Sequence, residues 1–101
     1  MTESKAQRTV FIMGLSPRHK GFYYISALLY RLAEDRSLDV REEYHRHETQ
    51  AEHNQEDRCM RYAIRYAWDV NEGEIHRLFP NAKLPPSPCE FITALLWELD
   101  E

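Results

Sequence analysis

Glycine occurs only three times in 101 residues and cysteine only twice. No apolar run approaches the length of about 20 residues that a bilayer-spanning helix needs. So few glycines leave no phosphate-cradling loop, and the Gly-x-Ser-x-Gly turn of serine hydrolases is missing as well. Cys59 and Cys89 have neither Cys-x-x-Cys nor Cys/His spacing, which excludes a zinc ribbon and a disulfide framework. Both fall within apolar helical patterns and read as small buried hydrophobes of a reducing compartment. Met1 to Arg8 has no apolar signal-peptide core, so the expected location is cytoplasmic, with no membrane partner. Nothing resembles a nucleophile with its base. The chain is therefore expected not to be an enzyme, with no cofactor, no metal and no small-molecule substrate.

The residues that are present suit a single globular domain: 43% are hydrophobic, 12% aromatic and 30% charged. At this length folding buries roughly 60–70% of the extended chain's surface, enough for one core. The net charge of −4 opposes phosphate binding on its face, but it is unevenly spread. Residues 1–36 carry +3, 37–57 carry −5 from seven acids and two bases, 58–77 carry +1 and 78–101 carry −3.

Apolar spacing predicts an all-α fold: a bundle of about five helices over 14–101, preceded by an extended lead-in over 1–13. The only alternating segment, Thr9 to Met13, has no partner strand and is read as that lead-in. Ser16-Pro17 is a helix start, followed by Phe22, Ile25, Leu28, Leu29 and Leu32 at three-and-four spacing. A second helix is expected from Ser37. A third is expected from Asn54-Gln55-Glu56-Asp57, with Met60, Ala63, Ile64, Ala67 and Trp68 as its apolar stripe and Gly73 as its stop. A turn over Glu74 to Phe79 follows. Ser87-Pro88-Cys89-Glu90 then starts the last helix as a capping box.

Arg58, Arg61 and Arg65 share a second face of the third helix. Basic side chains along an outward helix face suit a DNA major groove, where the guanidinium fork matches guanine or clamps a phosphate. The same spacing also suits a solvated face with local ion pairs, Asp57–Arg61 or Arg65–Asp69. His45, His47, Glu48, Glu52 and His53 are metal-capable, but without two histidines at i,i+4 they read as an exposed polar helix. Trp68, Trp97, Tyr23, Tyr24, Tyr62 and Tyr66 read as core or interface aromatics rather than as a platform for bases.

Three blocks taken together resemble the C-terminal DNA-binding effector domain of the stage zero sporulation protein A family, the response regulators that start endospore formation. The first runs from Gly14 to Ile25, with a glycine, a nearby proline and Lys20-Gly21-Phe22 opening a helix. The second, Asp57-Arg58-Cys59-Met60-Arg61-Tyr62-Ala63-Ile64-Arg65-Tyr66-Ala67-Trp68, is similar to the family's recognition helix. The third is Pro86-Ser87-Pro88-Cys89-Glu90-Phe91-Ile92. The blocks keep the family's order, while the stretch between Ala33 and Asn54 is shorter and richer in charge, and Glu56 replaces a valine.

The resemblance implies a helix-turn-helix that presents the Arg58–Trp68 helix to duplex DNA. Arg58 and Arg61 would contact bases or phosphates, beside Asp57 and the polar Asn54 and Gln55, while the charge of Lys20 suits a backbone phosphate. The expected function is sequence-specific transcriptional regulation without a receiver domain, with a homodimer on DNA or a partner regulator as associate. The alternative, motivated by the acidic 37–57 run, is a protein-interaction module that modulates a true regulator.

Overall fold

Apolar residues at three-and-four spacing set the helices, and the computed structural model describes residues 1–100 as six of them. These are α1 (Glu3–Ile12), α2 (Lys20–Glu34), α3 (Val40–Tyr44), α4 (Gln50–Val70), α5 (Ile75–Leu78) and α6 (Pro88–Leu99). The described residues contain no strand, so the all-α class is observed.

The expected extended lead-in over 1–13 is instead α1. Ala6, Val10 and Met13 are buried at helical spacing, and the Thr2 side chain caps the helix by accepting from the Lys5 N–H at 3.0 Å. A lone strand would have left its backbone groups unpaired, whereas a helix satisfies them internally while packing on α2. Phe11 and Ile12 consequently face outward.

Ser16-Pro17 does not start α2 but forms the turn before it. The Ser16 hydroxyl accepts from the Arg18 N–H at 3.2 Å, and the helix begins at Lys20 with His19 in the cap position. Phe22, Ile25, Leu29 and Leu32 then point into the core, and α2 packs against α1, α4, α6 and α3. Gly21 lets α2 approach α4, because a Cβ there would run into the Cys59 carbonyl. Gly14, at φ +111°, and Gly73 cross at a second close approach. There the Glu74 and Ile75 N–H groups donate to the Ile12 and Met13 carbonyls at 3.0 and 3.1 Å.

The expected helix from Ser37 is the five-residue α3, capped by Asp39, which accepts from the Glu42 N–H at 3.0 Å. Asn54 does not open α4. Thr49 does, accepting from the Glu52 N–H at 3.1 Å, and Asn54 sits one turn inside, where its side-chain oxygen accepts from Gln50 at 2.9 Å. The hydroxyl of Thr49 took the capping role that Asn54 could also have filled, because the chain turns at 45–49. Arg58, Arg61 and Arg65 therefore lie in the middle of the helix, not at its start. α4 ends at Asn71, in the left-handed region at φ 55°, rather than at Gly73.

The C-terminal turn and the start of the last helix form where expected. Ile75 is buried in the turn before Phe79, and the capping box is formed in both directions. The Ser87 hydroxyl accepts from the Glu90 N–H at 3.2 Å, and the Glu90 carboxylate accepts from the Ser87 N–H at 3.1 Å. Phe91, Ile92, Leu95 and Leu96 of α6 close the core.

Candidate nucleic-acid interface

Burial of Met60, Ala63, Ile64, Ala67 and Trp68 fixes the rotation of α4. At 3.6 residues per turn the opposite side must carry Asn54, Arg58, Arg61, Tyr62 and Arg65, and all five are exposed. Across from them runs the segment Leu84-Pro85-Pro86, and the two sides enclose an open groove of about 770 Å³. Asp57, half-buried, lines it as well.

The three arginines are not equivalent. Arg61 Nε donates to both carboxylate oxygens of Asp57, at 2.9 and 3.1 Å, which is one of the two local pairs the spacing allowed. The other, Arg65–Asp69, does not form. Among the described residues Arg58 and Arg65 have no acidic partner, so their guanidinium groups are left for a ligand in the groove.

Gln55 is exposed on α4 but does not line the groove. Lys20 is exposed at the start of α2, next to the Gly21–Cys59 approach, and so stands beside the middle of α4. His19 fixes that arrangement: its ring meets Tyr62 and Tyr66 edge-on, at 4.9 and 4.8 Å between centroids. Arg18 and Lys20, both exposed, flank His19 in the chain. Sequence reasoning missed Arg18, His19 and the 84–86 wall. The paired prolines were a signal for the wall, since they stiffen it, but nothing local showed which helix it faces.

Much of the acid in 37–57 is consumed inside the fold. Glu43 pairs with Arg31 at 2.6 Å and Arg46 at 3.5 Å, Glu56 with His47 at 2.8 Å and Asp57 with Arg61, while Asp39 caps α3. Glu42, Glu48 and Glu52 remain exposed.

The metal-capable cluster regroups. His45, His47 and His53 come together around buried Tyr44, with ring centroids 4.6–5.2 Å apart, while Glu48 and Glu52 point away to solvent. No set of three potential ligands among the described residues is placed to hold a metal ion. Burial, and then the neighbouring His45 and His47, push the His53 imidazole below its ordinary value, against the pull of Glu56.

The aromatic residues do not form one platform. Trp68 is buried and stacks on His76 at 3.7 Å, Trp97 stands out on α6, and of these residues only Tyr62 lines the groove, with Tyr66 beside it against His19. Neither cysteine is fully buried, contrary to expectation, because both lie at the edges of their helices' apolar stripes. Burial pushes the Cys89 thiol up.

As for the helix-turn-helix, the elements α3, turn and α4 occur in order, but α3 lies chiefly against α6 and α2. Among the described residues no helix is long and apolar enough to cross a membrane. No family model matches the chain, and neither a curated protein nor a solved structure matches it.

Proposed function

We propose that the chain binds duplex DNA in a sequence-specific manner through the outward face of α4, acting as a transcriptional regulator. The carrying observation is that Arg58 and Arg65 lie two turns apart on the side of α4 away from the core, without acidic partners. The face from Asn54 to Arg65 is about 16 Å long, which fits along a major groove about 12 Å wide. Because the arginines are in the middle of a 21-residue helix, α4 would lie along the groove rather than enter by its tip.

In this reading Arg58 and Arg65 take base edges or phosphates and Asn54 and Gln55 offer polar contacts at one end. Lys20 and Arg18 take the flanking backbone, and Arg61 joins once Asp57 releases it. The resemblance of three sequence blocks to sporulation-regulator effector domains supports the same role for the α4 face.

A second reading is a protein-interaction module, and one observation favours it: the far wall of the groove is apolar, with Leu84 77% exposed beside Pro85 and Pro86. One experiment separates the two. The purified protein is titrated against a randomised duplex pool at low and physiological salt, and the bound fraction is sequenced. Enrichment of one motif, with affinity falling as salt rises, is expected. No retention even at low salt overturns the DNA reading and leaves the groove to a protein partner.

A further inference from the structure

The largest apolar side chain left in solvent outside the arginine face is Trp97, 70% exposed on α6. It lies one turn beyond Thr93 and Ala94, on the side away from Phe91, Leu95 and Leu96. Its indole walls one side of a hollow of about 670 Å³ between α3, α5 and α6, whose other apolar lining includes Val40, Phe79, Cys89 and Ala94. We propose that this face pairs with the same face of a second copy of the chain, as a two-fold dimer.

Shape and charge both favour a second copy. A two-fold interface must be self-complementary, each patch offering what the other needs. Here one face carries a bulky projection, Trp97, and an apolar hollow beside it, so a two-fold axis between them seats each indole in the other copy's hollow. Buried aromatic anchors of this kind dominate interface energetics.

The hollow also carries charges of both signs. Arg41 is exposed and has no ion-pair partner among the described residues. Asp39 and Glu90 each spend one carboxylate oxygen on a helix-cap N–H, from Glu42 and Ser87 respectively. The second oxygen of each remains free to accept from Arg41 of the other copy. The arginine groove, by contrast, would repel its own copy. A stable interface covers about 800 Å² per partner, about one eighth of this chain's 6600 Å² of surface. One side of a molecule measuring 34 × 30 × 25 Å supplies that.

The test is analytical ultracentrifugation of the full chain, without DNA, over a range of concentrations. Its outcome is thus independent of the DNA reading. The expected result is a monomer–dimer equilibrium, weakened at least about tenfold by Trp97→Ala and by Arg41→Glu while the helical circular dichroism is unchanged. Both side chains are exposed, and Arg41→Glu keeps the test decisive if Trp97→Ala fails to fold. As a second readout, alkylation of Cys89 slows as the dimer forms, since its thiol lines the hollow. A chain that stays monomeric to about 0.5 mM, or a dimer indifferent to these substitutions, overturns the proposal.

Discussion

Arg61 and Asp57 face each other one helical turn apart on α4, with the Arg61 Nε held by both carboxylate oxygens. The pair lines the candidate groove together with Arg58 and Arg65, which have no acidic partner among the described residues. An exposed i,i+4 pair of this kind contributes only about 0.3–0.5 kcal/mol to stability, so the helix does not depend on it. Its larger effect is on charge, since it cancels one of the three guanidinium groups offered to a ligand.

For DNA binding, removing the carboxylate and removing an arginine should therefore act in opposite directions. Asp57→Asn is expected to strengthen duplex binding, by freeing Arg61 and removing a negative charge. Arg58→Ala and Arg65→Ala are each expected to weaken specific binding by about 1–3 kcal/mol. Arg61→Ala should cost less, because in the free protein its side chain is already engaged. Fluorescence anisotropy on the selected duplex, at fixed salt, measures all four; equal affinities across the set would detach these residues from DNA.

Gly21→Ala gives a stability prediction whose sign depends on tertiary structure. Within an isolated helix the substitution stabilises, by roughly 0.5–1 kcal/mol. In this fold the new methyl group meets the Cys59 carbonyl across the α2–α4 crossing, and backbone cannot move aside as a side chain can. A net destabilisation of about 1–3 kcal/mol is expected in urea unfolding. A variant as stable as the parent would mean that the helices cross less closely.

Ser87→Ala removes one arm of the capping box and leaves the Glu90 N–H without its hydroxyl acceptor. A loss of about 1 kcal/mol is expected, read as a lower midpoint with unchanged m-value.

The pH response follows from His53. Its imidazole is held below its ordinary value in the fold, so the unfolded chain binds the proton more readily than the folded one. Stability must then fall as pH drops below the unfolded value near 6.5 and toward the lower folded value. Thermal melts between about pH 7.5 and pH 5.5 should show this decline, and His53→Gln should flatten it. An identical slope in the variant would remove His53 as the source.

How much of this was legible in the sequence differs from element to element. The core stripes of α2, α4 and α6 and the capping box at Ser87 were readable because helical spacing and capping are local: each depends on residues within one or two turns. The arginine stripe was readable for the same reason. α1 was not, because Thr9 to Met13 fits alternation as well as a helix, and only packing of Ala6, Val10 and Met13 on α2 decides between them.

The start of α4 belongs to the same class, since Thr49 and Asn54 are both good caps and the turn at 45–49 selected one. Partnership was still further from the sequence. Of the two ion pairs that spacing allowed on α4, only Asp57–Arg61 forms. Glu43 is paired by Arg31 and Asp57 by Arg61, so two acids of the run are offset within the fold, while Glu56 contacts the His47 ring. The sequence by itself determined the helices, their buried faces and the arginines on the opposite side, all through interactions within a few residues. Only the tertiary structure decided which arginines stay free, which wall faces them and which tryptophan stays in solvent. The wall and the tryptophan depend on segments tens of residues apart being brought together, which no local propensity encodes, and the arginines on side-chain geometry that i,i+4 spacing alone leaves open.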